Sequence, residues 1–148
     1  MAVVMAGGLS GCSGGSSGSG SRTQSTLDRS EAQWNSRSVR SYRYRFQYVA
    51  FAPMQITAPV IIEVRDGAPV SVTPVDPNIT IDRAFFEKYD TVEELFAAAE
   101  QALNSKPASL RAEYDSNLGY LKSLNVDQIA LAADDEYSLS VTDFETLP

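Results

Sequence analysis

Cys12 is the only cysteine in the chain, and it closes the tetrad Leu9-Ser10-Gly11-Cys12 after a weakly apolar start, Met1 to Leu9. An apolar run passing through small residues into cysteine is how a bacterial lipoprotein signal presents its cleavage and lipidation site. Cleavage before Cys12 makes it the new N-terminus, and two or more acyl chains there anchor a protein stably, at about 0.8 kcal/mol per buried methylene. No Lys or Arg precedes the apolar stretch, and Met1-Ala2-Val3-Val4-Met5-Ala6 reads like the tail of a longer run; the competing reading of Cys12 is an ordinary free thiol. The expectation is a lipid-anchored protein on the extracytoplasmic side of a cell membrane or envelope, with membrane lipid as partner through acylated Cys12. No later stretch approaches the roughly 20 apolar residues that cross a bilayer as a helix.

Other candidate chemistry is sparse. The chain has no histidine, which excludes Ser-His-Asp and Cys-His nucleophiles and every histidine-bearing metal site. Asp134-Asp135-Glu136 offers carboxylates to a hard cation, but calcium wants six to eight oxygens. The preferred reading is a solvated turn before the last strand, so neither metal nor cofactor is expected. Glu63 and Glu113 fall mid-strand on polar faces and would make a general acid/base pair only if their strands were neighbours. Cross-strand pairing with Arg43, Arg45 or Arg111 is the plainer role, at roughly 0.2–1 kcal/mol each. Ser105-Lys106 lacks the Ser-x-x-Lys spacing of a serine-lysine nucleophile, and no catalytic residue is assigned. In Tyr114-Asp115 and Asn117-Leu118-Gly119-Tyr120, glycine supplies positive φ and Asp115 or Asn117 binds local backbone. Tyr120 and Tyr137 are candidate contact residues at a loop rim, beside Arg43 and Arg45 on a strand face. Asn78-Ile79-Thr80 matches the glycosylation triplet by accident.

Net charge is −7 and unevenly spread: residues 1–83 carry eight arginines against six acids, residues 84–148 four basic residues against thirteen acids. Nucleic-acid binding is therefore not expected. Arg37, Arg40, Arg43 and Arg45 form the basic end nearest the anchor. They suit a solvated helix end and strand face, or contact with anionic head groups at about 1 kcal/mol per charge.

These residues need a scaffold. Residues 1–12 read as signal segment, 13–26 as a Ser/Gly-rich tether, and 27–148 as one domain with a single core. Leu27 to Val39 reads as an amphipathic helix. Tyr42, Tyr44, Phe46 and Tyr48 then alternate with Arg43, Arg45 and Gln47 as a half-buried strand. Val60–Val64 and Val70–Val72 flank Asp66-Gly67 as a hairpin. Its favoured register is a three-residue loop, Arg65 to Gly67, with Gly67 left-handed, pairing Ile62 with Val70 and Val60 with Val72. Residues 76–90 form a long connection whose aromatics cover a core edge. Thr91-Val92-Glu93-Glu94 is a capping box opening a helix to Asn104. Leu110–Tyr114, Leu124–Val126 and Tyr137–Val141 complete three further strands. The expected fold is α+β: an antiparallel sheet of about six strands with two helices on one face, ordered helix, three strands, helix, three strands.

Trp34, Tyr42-Arg43-Tyr44, Val64-Arg65-Asp66-Gly67, Val70-Ser71-Val72, Thr91 to Phe96, Tyr114-Asp115, Leu118-Gly119-Tyr120 and Asp134-Asp135-Glu136 follow one another in an order that resembles the bacterial lipoproteins grouped as domain of unknown function 6174. The resemblance covers about residues 27–145. Members commonly carry Cys-x-Cys-Pro after the first strand; here Ala50-Phe51-Ala52-Pro53 stands there, and Leu121 replaces a usual proline. The resemblance implies an envelope lipoprotein of unassigned function, with a layout similar to secreted inhibitor and protease-propeptide-like modules. The leading expectation is a non-catalytic module binding an envelope protein or cell-wall component through its sheet face or strand-end loops. The alternatives are a small carboxylate-dependent hydrolase and a membrane-proximal scaffold or regulator.

Overall fold

The computed structural model describes residues 18–130 and 134–148. Its core is a six-stranded, wholly antiparallel sheet, so the α+β class holds. The strands are β1 (Tyr42–Ala50), β2 (Val60–Arg65), β3 (Ala68–Pro74), β4 (Ser109–Tyr114), β5 (Leu121–Asp127) and β6 (Glu136–Thr146), ordered β3-β2-β1-β6-β5-β4 across the sheet. The two three-strand units thus meet at β1 and β6. Alternation decides the faces: Tyr42, Tyr44, Phe46, Val60, Ile62, Val64, Leu124, Val126, Leu139 and Val141 are buried on one side, while their chain neighbours stay partly or wholly exposed on the other.

Among the described residues four α-helical segments accompany the sheet rather than two. The long ones are α1 (Gly18–Arg37) and α4 (Val92–Asn104). The additions are single turns inside connections expected to be irregular. Pro53 starts α2 (Met54–Thr57), closed by Ala58 N–H donating to Met54 O at 2.9 Å. Asp82 caps α3 (Arg83–Phe86) through its side chain, and a 3-10 turn over Glu87–Tyr89 follows. These turns seat Phe86 and Tyr89 in the core.

The first helix is already formed at Gly18, the first described residue, nine residues before the expected Leu27 and inside the Ser/Gly-rich stretch. Its early turns are tied within the helix, Ser25 Oγ donating to Ser21 O and Thr26 Oγ1 to Arg22 O, both at 2.9 Å, and Gln24 Nε2 to Asp28 Oδ1 at 2.7 Å. Further along, Leu27, Ser30 and Trp34 form the buried stripe. Helix α4 starts as expected, with Thr91 Oγ1 accepting from Glu94 N–H at 3.1 Å, and buries Val92, Leu95, Phe96, Ala99 and Ala102.

The β2–β3 hairpin corrects the favoured register. Asp66 (φ 52°) and Gly67 (φ 81°) form a two-residue turn, pairing Arg65 with Ala68. Arg40 fixes that turn, its carbonyl accepting from Gly67 N–H at 2.8 Å and its guanidinium donating to Asp66 O at 2.7 Å. The register then shifts between Glu63 and Val64, so that Ile62 faces Val72 and Val60 faces Pro74. Val70 is the extra residue, 55 % exposed. A bulge costs less than burying Ser71 opposite Ile62.

A second bulge shapes the centre. Between β1 and β6 the register slips from Arg45–Thr142 to Arg43–Glu145, and Asp143 takes φ 50°. This shift changes the parity of β6, so Phe144 turns inward to stack on Tyr120 (4.1 Å between centroids), Tyr42 (5.4 Å) and Tyr44 (6.0 Å).

Candidate functional site

Cys12 lies outside the described residues, as does the apolar start before it. Among the described residues no helix is long and apolar enough to cross a membrane.

The four expected contact residues do not converge. Arg43 stands on the helix-free face of β1 and donates to Glu145 at 2.7 Å. Arg45 lies two residues on, half-buried on the same face, and both border a shallow hollow with Ile61 and Asp143. Tyr120 points the opposite way: it is 8 % exposed and lies flat on Phe144, which makes it a core residue rather than a loop-rim contact. The sequence placed Tyr120 in a loop after Gly119 and gave no sign of the bulge that brings Phe144 beneath it. Tyr137 also faces the helix side, half-buried, and stacks on Tyr48 at 5.7 Å. Since Tyr137 pairs with Val126, six residues beyond Tyr120, the two tyrosines stand about 20 Å apart along the sheet at about 3.3 Å per residue.

The carboxylate pair of the hydrolase reading is not formed. Strands β2 and β4 are separated by β1, β6 and β5, which sets Glu63 and Glu113 about 19 Å apart across the sheet at roughly 4.8 Å per strand, before their offset along the strands is added. Glu63 instead accepts from Arg65 Nε at 2.8 Å. Among the described residues no three acidic, cysteine or histidine side chains gather as a metal site. The Asp115 reading holds: its carboxylate accepts from Asn117 N–H at 3.0 Å and Leu118 N–H at 2.7 Å. Gly119 has φ 93° and lies against the backbone of α1.

Two features were not foreseen. The first is the breadth of the helix-free face, where Arg43, Arg45, Gln47, Ser123, Asn125, Ser138, Ser140 and Thr142 form polar rows with none of them buried. At one end of it Phe51 is 89 % exposed, near Val49 (50 %) and Met54 (63 %). Phe51 borders a broad open hollow of about 720 Å³ with Arg111, Asn125 and Ser138.

The second is a cleft of about 350 Å³ on the helix side, between α4 and the end of β6, lined by Tyr48, Tyr89 and Tyr137 together with Lys88, Glu94, Ala97, Gln101 and Gln128. Tyr48 stacks on Tyr137 at 28° and on Tyr89 at 24°, and Tyr89 is itself stacked on Phe46 in the core, so the half-buried Tyr48 and Tyr137 supply the open aromatic part of the lining. Burial pushes the hydroxyls of all three above the ordinary tyrosine value. They are therefore neutral hydrogen-bonding groups at physiological pH. No periodicity signals this cleft, because its lining comes from β1, the 3-10 turn, α4, β6 and the segment after β5.

No curated protein and no solved structure matches the chain. The pattern of the family of unknown function DUF6174 matches residues 26–146, which spans the sheet, α4 and α1 from Thr26 onward. The chain belongs to the DUF6174 family.

Proposed function

We propose that this chain is an extracytoplasmic lipoprotein, anchored through Cys12, which acts without catalysis by binding an envelope protein or cell-wall component on the open face of its sheet. The observation that carries the reading is the asymmetry of that sheet: one face is filled by helices, and the other is a continuous polar surface ending at Phe51. Interfaces of this kind pair one desolvated aromatic anchor with a polar rim, and arginine is enriched among their strong contacts. Phe51 and Arg111 border one hollow and supply both elements. The Cys12 part rests on the Leu9-Ser10-Gly11-Cys12 tetrad.

A photo-crosslinking residue at Ser140, on the full chain in its native host, tests the face. One discrete adduct that disappears in Phe51→Ala supports the reading. Adducts no more frequent than from a crosslinker on α4, such as at Glu100, would remove it. The anchor is tested by Cys12→Ser, expected to leave the membrane fraction and lose fatty-acid labelling. An unlabelled, unanchored parent chain would end the lipoprotein reading while leaving the sheet-face result standing.

A further inference from the structure

The cleft under α4 is a built site of a different kind from the open face. Half-buried Tyr48 and Tyr137 line one side together with the buried Tyr89, and the opposite side is α4, where Ala97 stands next to the longer Glu94 and Gln101. At about 350 Å³ it lies near the lower end of small-molecule pockets, roughly 300–1,000 Å³. We propose that this cleft binds a neutral saccharide, one or two pyranose rings in size.

Three observations select that chemistry. First, Tyr48 and Tyr137 border the cleft and are only half-buried, which leaves aromatic surface for the slightly positive C–H groups on one side of a pyranose. Second, Lys88 Nζ already sits 4.5 Å from the Phe85 ring centre and 5.1 Å from that of Tyr89, so a second cation on that wall is repelled. Glu94 lies in the same lining, which opposes an anion; the charges leave a neutral ligand favoured. Third, the remaining polar groups are the amides of Gln101 and Gln128 and the Ser105 hydroxyl, and Gln128 and Ser105 already meet at 3.2 Å. Amides and hydroxyls both donate and accept, which is what the adjacent hydroxyls of a sugar require.

The site lies on the helix side of the sheet, so it stands or falls independently of the open-face reading. The test is an NMR titration of the full chain with cellobiose and with the disaccharide of N-acetylglucosamine, whose all-equatorial rings present uninterrupted C–H faces. Millimolar or tighter binding, with shifts centred on Tyr48, Gln101, Gln128 and Tyr137, is expected. Ala97→Trp fills the cleft from an exposed position and should weaken binding at least about tenfold, and Gln101→Ala about threefold, with unchanged urea midpoints. Absence of shifts at about 50 mM of either disaccharide overturns the proposal. So does binding that survives Ala97→Trp, or glucosamine or glucuronate binding more tightly than glucose by about tenfold. A Ser140 crosslink that persists in Ala97→Trp separates loss of this site from failure of the sheet-face interaction.

Discussion

The indole of Trp34 donates its N–H to Glu93 Oε1 at 2.9 Å, joining two helices that lie 59 positions apart in sequence. The other oxygen of Glu93 accepts from the Tyr42 hydroxyl at 3.4 Å, and that hydroxyl in turn accepts from Val92 N–H at 2.9 Å. One carboxylate therefore ties α1, β1 and the first turn of α4. Glu93→Ala leaves the Trp34 N–H, on a residue 2 % exposed, without its partner, and should cost about 1–3 kcal/mol. Glu93→Gln keeps an acceptor oxygen and should cost less than about 1 kcal/mol. Urea unfolding of both variants checks the order; equal losses would show that the carboxylate contributes only packing.

Two glycines with similar backbone angles should respond differently to alanine. At Gly119 (φ 93°) a Cβ would lie 2.4 Å from Ser30 O and 2.9 Å from Trp34 N, whereas at Gly67 (φ 81°) its nearest neighbour is the end of Arg40 at 3.7 Å. Positive φ costs an alanine about 1–3 kcal/mol at either site. Gly119→Ala must additionally push α1 off the β4–β5 turn, a further overpacking cost of about 1–3 kcal/mol. Gly119→Ala is thus expected to have the lower urea midpoint, and to loosen near-ultraviolet dichroism from Trp34. Matching midpoints would mean that α1 yields without resistance.

What was readable in the chain follows from how far each signal reaches. The β1 alternation and the Thr91 cap are set by residues a few positions apart, and both elements formed where their spacing placed them. The hairpin turn was placed correctly at Asp66-Gly67 but its register was not, because Arg40, outside the hairpin, holds the two-residue form and Val70 takes up the difference. Phe144 and Tyr120 escaped for the same reason: a bulge at Asp143 reverses parity, and no local pattern announces it. The early part of α1 was hidden by its poor helix formers, since Ser and Gly there read as a tether. The cleft was hidden altogether, since five separated segments line it.

The Tyr114 hydroxyl is buried and has no partner among the described residues. Removing an unpaired hydroxyl without changing ring volume relieves a desolvation cost, so Tyr114→Phe should be neutral or stabilising at pH 7. Its ring still stacks on Phe96 at 6.0 Å. A loss of unfolding free energy above roughly 1 kcal/mol in urea titrations would mean that the hydroxyl is bonded after all.

Alkaline pH should expose the same buried tyrosines. Burial, with the charges of Asp28 and Glu31 adding to it, pushes Tyr114 up to about 12, and burial raises Tyr42, Tyr44 and Tyr89 in the same direction. In the unfolded chain tyrosine ionises near 10. Below that value both states hold their protons and this contribution is fully present; above it the unfolded chain releases protons that the folded chain keeps, so stability falls as pH climbs through the raised values. Urea midpoints should be level to about pH 9.5 and then decline, less steeply in Tyr114→Phe. A profile level to about pH 12 would show that the tyrosines are open to solvent.

The open face should tolerate change that the helix side does not. The Arg43–Glu145 pair is about half exposed on both partners, 48 % and 57 %, and such pairs contribute about 0–1 kcal/mol. Phe51 is 89 % exposed, so its truncation removes almost no buried area and should shift stability by no more than about 0.5 kcal/mol. Arg43→Ser and Phe51→Ala are therefore expected to unfold at nearly the parent urea midpoint, while Phe46→Ala, in the fully buried centre of β1, loses about 3–5 kcal/mol. Because the two surface variants leave the fold intact, any loss of crosslinking from Ser140 in Phe51→Ala reports on contact with the partner. If Phe51→Ala instead unfolded like a core variant, Phe51 would be packed on something within the chain, and the aromatic end of the open face would no longer be free to anchor anything else.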